Sequence, residues 1–127
     1  MDETVERVDP RVLETINQAI DLDEKEQTAS AAQILMSLVS EFPKEAIVHS
    51  YLAWVLSRNG QNAEAIAHGE VAILLAPKSE RISLVFFRAL WGAGERDRAF
   101  QEMKRFVSIG RSEEYSRMMK EWERIGN

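Results

Sequence analysis

The sequence predicts an all-α chain, a solenoid of helix–turn–helix repeats with about seven helices. Three observations predict it. Residues of one kind recur at 34-residue spacing: Ala31, Ala65 and Ala99; Leu22, Leu56 and Leu90; Leu38, Ala72 and Phe106; Gly60 with Gly94; Pro43 with Pro77. A fixed period of this length marks stacked units that cannot bury their apolar faces alone. Between the turn signals, apolar residues step by three and four, the helical period. No period-two stretch reads as a strand.

Residues 1–8 are polar and are expected to form a disordered tail, leaving 9–127 as one domain. Asp9 before Pro10 is a helix start: an acceptor side chain, then a residue with helical φ and no N–H to satisfy. The first helix runs to about 22, and 23–27 is a charged turn. A second helix, about 28–42, carries Ala31, Ile34, Leu35, Leu38, Val39 and Phe42 on one face and ends at Pro43. A third spans about 45–58 and leaves through Asn59-Gly60, a good left-handed exit. A fourth, about 62–75, ends before Pro77. Ser79 caps a fifth, about 80–92, which is apolar nearly all round and so is expected between neighbours. Gly92 and Gly94 close it. A sixth runs about 96–108 to Gly110. Ser112 caps a seventh, about 112–126, whose stripe of Tyr115, Met118, Met119, Trp122 and Ile125 suits a helix covering the last repeat.

The chain of 127 residues is one domain by length and has no Cys, so disulfides and thiolate metal sites are excluded. Its N-terminus does not read as a secretory signal, and no apolar run approaches the roughly 20 residues of a membrane span. The expectation is a soluble, cytoplasmic protein without membrane insertion. Net charge is −5, with 11 acids against 4 bases in residues 1–45 and 10 against 12 in the remainder. An acidic first third argues against nucleic-acid binding, which needs a basic stripe.

These residues resemble the tetratricopeptide repeat (TPR) family, over about 12–113. Taking Ala46 as its first residue, the middle repeat offers Leu52, Ala53, Leu56, Ala65, Ala72 and Pro77, with His49 and Gly69 departing. The first, from Val12, offers Ala19, Leu22, Ala31, Leu35 and Pro43, with Thr15 and Gln18 departing. The third, from Glu80, offers Phe86, Leu90, Ala99, Met103 and Phe106. There Phe87 fills a small-residue position, where side-chain volume sets how closely helices approach. It should splay the third pair or be taken up by the last helix. Arg111 stands where Pro is usual. The resemblance implies a right-handed solenoid with repeats at about 12–45, 46–79 and 80–113, and a concave wall made by the first helix of each.

By that resemblance the wall residues are Leu13, Ile16, Ile20, Asp23 and Glu24, then Ile47, Ser50, Trp54, Ser57 and Arg58, then Arg81, Leu84, Arg88, Trp91 and Gly92. The candidate partner-binding set is Ile47, Ser50, Trp54, Arg58, Arg81, Leu84, Arg88 and Trp91. Trp and Arg are the residues most often found as hot spots. Arg58 and Arg88 are expected on the open face, so reversing their charge should leave folding unchanged. Members that clamp a C-terminal carboxylate use Lys and Asn; the matching places here hold Ile16, Ile20, Tyr51 and Val85, with only Arg81 suited to that task.

No catalytic constellation is legible. His49 and His68 are the only imidazoles, and His68 is expected to pair with Glu64 one turn earlier. No metal-ligand spacing or Gly-x-Ser-x-Gly occurs, and Gly92-Ala93-Gly94 reads as a turn. The expectation is a non-catalytic interaction module without cofactor or metal. It would be an adaptor or chaperone holding a peptide or amphipathic helix of another protein, and it is similar in size to bacterial type III secretion chaperones. Two alternatives stand: an inhibitor masking a basic enzyme through Asp21, Asp23, Glu24 and Glu26, or a homo-oligomeric assembly subunit, a homodimer included.

Overall fold

The computed structural model describes residues 8–126, with side chains to 125. Seven helices follow one another: α1 (Pro10–Glu24), α2 (Thr28–Glu41), α3 (Ala46–Arg58), α4 (Asn62–Leu75), α5 (Glu80–Gly92), α6 (Arg96–Val107) and α7 (Glu113–Gly126). There is no strand among the described residues. Apart from Val8, which packs on the first core cluster, the tail expected over 1–8 lies outside them.

Local chemistry sets the ends. The Asp9 carboxylate accepts from the Arg11 backbone N–H at 2.9 Å, with Pro10 in the first turn. Ser79 Oγ accepts from Ile82 N at 3.2 Å, and Ser112 Oγ from Tyr115 N at 3.1 Å. The turn inside each repeat is one structure used three times. The N–H groups of Gln27, Gln61 and Glu95 reach back to the carbonyls of Leu22, Leu56 and Leu90 at 2.8, 2.9 and 2.9 Å. Such bonds close a helix whose chain exits through a left-handed residue. That residue is Gly60 at φ 80°, Gly94 at φ 82° and, in the first repeat, Glu26 at φ 63°.

Packing makes the solenoid. Each helix lies against the next from α1 to α6, and α1, α3 and α5 also lie side by side, as first helices of successive repeats must. The small residues Ala31, Ala65 and Ala99 are fully buried where the paired helices approach. One cluster fills the first two repeats around Val12, Leu35, Val48, Leu52 and Leu56. A second fills the third repeat and α7 around Phe86, Phe87, Leu90, Phe106 and Tyr115. Truncating Leu35 or Leu52 to Ala is worth about 2–5 kcal/mol. Gly69, a departure from the repeat pattern, has a packing reason: a Cβ there would stand 2.5 Å from Phe86 Cδ1. The α5 phenyl ring occupies the space a larger residue would take.

Phe87 is taken up by α7. Its ring stacks on Trp122 at 6.2 Å between centroids and meets Tyr115 edge-on at 5.6 Å. A buried polar chain fixes the same helix. Ser83 Oγ donates to Glu102 Oε2 at 2.6 Å, so the Tyr115 hydroxyl, 2.8 Å away, donates to Ser83. Arg105 holds both Glu102 oxygens, at 2.9 and 2.6 Å, and donates to the Pro77 carbonyl. No buried side-chain polar atom among the described residues lacks a partner, as a water-excluded network requires.

Candidate functional site

Parallel neighbours α3 and α5 form a cleft of about 460 Å³. From α3 come Ile47, Ser50, Tyr51, Trp54, Ser57 and Arg58; from α5 come Arg81, Ile82, Leu84, Val85, Arg88 and Ala89. Helical periodicity explains the set: residues three and four apart share a face. The lining is mostly apolar and carries three guanidinium groups and no carboxylate. Trp54 lies in it with 39% of its surface open to solvent.

Each arginine is held differently. Arg58 Nε lies 2.8 Å from Asp23 Oδ2, and its guanidinium sits 6.0 Å from the Trp54 ring centre. Asp23 is only 6% exposed and also accepts from the Thr28 hydroxyl at 2.9 Å. Arg58 is thus half structural, which corrects the expectation that it could be reversed without cost. Arg81 donates to the Tyr51 hydroxyl and lies 5.4 Å over that ring. Arg88 Nη2 meets Glu114 of α7 at 3.4 Å, a long and exposed pair.

Seven of the eight candidate residues line this one cleft; Trp91 does not. Trp91 stacks on Trp122 at 5.7 Å and 13°, stacks on Phe87 at 5.8 Å, and meets Phe100 edge-on at 5.7 Å. The Arg96 guanidinium lies 4.7 Å over it. The physical reason is α7, which stands where the first helix of a further repeat would stand and lays Trp122 on the wall residue. Sequence reasoning left four lining residues out of the wall set, Tyr51, Ile82, Val85 and Ala89, naming Tyr51 and Val85 only as places that match the carboxylate clamp. Each follows a predicted wall residue, Ser50, Arg81, Leu84 or Arg88, by one position, and that adjacency is the signal all four share.

Two further expectations change. His68 does not simply pair with Glu64: His49 and His68 bring their Nδ1 atoms to 3.1 Å, with rings stacked at 5.3 Å. His49 Nε2 lies 2.8 Å from the Pro43 carbonyl and so donates to it. Its Nδ1 therefore accepts, and His68 Nδ1 is the donor. Burial above all, then the charge of His49, lowers the His68 pKa, while Glu64 opposes them. The acidic patch is also thinner than its sequence: Asp23 is buried and Asp21 pairs with Lys25 at 3.0 Å.

Among the described residues, no group of three or more His, Cys, Asp or Glu converges as a metal set. No helix there is long and apolar enough to cross a membrane. No protein-family model matches the sequence, and no curated protein matches it. Solved structures do match the fold. The Sgt2 TPR domain from Aspergillus fumigatus superposes with a TM-score of 0.77 at 18% identity, over 91% of this chain and 79% of that one. The first TPR of Spaghetti (RPAP3), bound to the HSP90 peptide SRMEEVD, gives 0.75 at 12% identity, over 93% and 98%. A point mutant of MamA gives 0.67 at 16%, over 83% and 77%. The fold is that of TPR domains.

Proposed function

We propose that this TPR-fold chain is a non-catalytic interaction module that holds a segment of a partner protein in the α3–α5 cleft. One observation carries the reading: Trp54 lies open on an apolar floor edged by three arginines, and the chain's own side chains do not fill the space. Half-open aromatics beside arginines, in a pre-formed concavity, are what protein segments dock on. That a TPR domain of the same shape holds a peptide supports the reading. The module serves as an adaptor or as a chaperone for a client segment.

Affinity capture from a lysate tests it, comparing wild type with Trp54→Ala. A protein held by the wild type and lost from the variant, with the fold intact by circular dichroism, supports the cleft. Equal retention moves the binding surface elsewhere. Self-assembly is a second reading, favoured by Leu74, which is 80% exposed on α4 with Val71 and Leu75 beside it. A monomeric solution mass at high concentration would remove it.

A further inference from the structure

We infer that the segment taken by the α3–α5 cleft is an acidic amphipathic helix, internal to its parent chain. On one face it carries carboxylates two turns apart with bulky apolar residues between them. This rests on the cleft being the binding site. The argument is complementarity along α5, where Arg81, Leu84, Val85 and Arg88 all line the cleft. They form one stripe at i, i+3, i+4 and i+7: a cation, two apolar residues, a cation. The arginines are about 10 Å apart along the helix axis. A segment lying beside α5 meets both only if its own carboxylates repeat at that distance. In a helix, residues i and i+7 do so on one face, with i+3 and i+4 between them against Leu84, Val85 and Trp54. In an extended strand about three residues span that distance, and residues three apart point to opposite faces.

The charge has one sign at the cleft and the other across the chain. Net charge is −5, yet the lining holds no carboxylate. Arg58 is matched by Asp23, Arg81 engages Tyr51 by its hydroxyl and ring face and meets no carboxylate among the described residues, and Arg88 reaches Glu114 at 3.4 Å. Arg81 and Arg88 therefore keep donors for incoming carboxylates. The two are spread along the cleft and do not converge on one point. A single terminal carboxylate can engage one of them and not both, so a free C-terminus is not what the site selects.

The probe is a labelled, N-acetylated and C-amidated helical peptide of about 20 residues on an Ala/Gln background. It carries Glu at i and i+7 and Leu at i+3 and i+4; two sister peptides carry Gln or Lys at i and i+7. Fluorescence anisotropy against the full chain reads binding. The Glu peptide should bind about tenfold more tightly than the Lys peptide. The preference should invert in the Arg81→Glu/Arg88→Glu protein. Equal binding of all three peptides, each lost in Trp54→Ala, would overturn the acidic-helix inference and leave the cleft as the site. Binding that persists in Trp54→Ala would overturn the cleft itself. No binding of any peptide would count against the inference, because the probe reproduces its entire recognition pattern.

Discussion

Glu26 and Gly60 occupy the same position of the same turn, 34 residues apart, and both have left-handed backbones, at φ 63° and φ 80°. For glycine that conformation is free. For a residue with a Cβ it costs about 1–2 kcal/mol. The first repeat therefore stores strain that the second and third avoid.

Glu26→Gly should stabilise the chain. Part of the relief is offset by the greater freedom of glycine in the unfolded chain, leaving a gain of about 0.5–1 kcal/mol. Thermal melting should rise by roughly 2–4 °C. Gly60→Ala should lower it, since the same turn then carries the strain twice. A lower melting point for Glu26→Gly would show that the carboxylate does something the turn geometry does not require.

Arg58 and Arg88 should separate on charge reversal. Arg58→Glu sets a second carboxylate against the buried Asp23 and should cost about 1–3 kcal/mol. Arg88→Glu breaks only an exposed pair and should change stability by less than about 1 kcal/mol. Urea denaturation of the two variants at neutral pH checks this. Equal losses would mean that Asp23 does not depend on Arg58.

Tyr115 should give the chain an alkaline weakness. Burial, above all, pushes its pKa up to about 12 from 10, opposed by the contact with Ser83. The folded state thus favours the neutral phenol. That contribution is complete below pH 10 and is lost as pH rises through 12, by on the order of 2 kcal/mol. Tyr115→Phe removes the titration, so its stability should fall less steeply above pH 10 than the wild type's. Parallel pH curves would contradict the burial of the hydroxyl.

His68 should act in the opposite direction. Its folded pKa lies below the ordinary 6.5, because of burial first and His49 second. As pH falls, the unfolded chain takes up that proton first. Stability from this group is therefore complete above pH 6.5 and lost as pH drops through the folded value. His68→Gln keeps a donor for His49 Nδ1 without titrating. It should show a shallower decline between pH 7.5 and pH 5 in urea midpoints.

The repeats were legible because period and turn chemistry agree. Gly60 and Gly94 mark two turns, Pro43 and Pro77 mark two helix ends, and the alanines at 34-residue spacing mark where helices approach. Most of the cleft was legible for the same reason, since wall positions recur with the helix face. What escaped depends on contacts between repeats. Trp91 is a wall residue by position, but α7 covers it with Trp122. Arg58 reads as open, but Asp23 reaches it from α1 across 35 residues. His68 reads as a local pair with Glu64, but the fold sets it against His49. Spacing within one helix carries none of these partners.

The chain has three tryptophans, Trp54, Trp91 and Trp122, and they stand in two places. Trp54 lies in the α3–α5 cleft, while Trp91 of α5 and Trp122 of α7 stack on each other where those two helices meet. Their three indole N–H signals in a nitrogen-15 spectrum, assigned by single Trp→Phe substitutions, report on each place separately. Titration with a segment of a captured partner should move the Trp54 signal first and furthest and leave Trp91 and Trp122 nearly still. Movement of Trp91 and Trp122 with Trp54 unchanged would contradict the account, because the partner would then sit on α7 and not in the cleft.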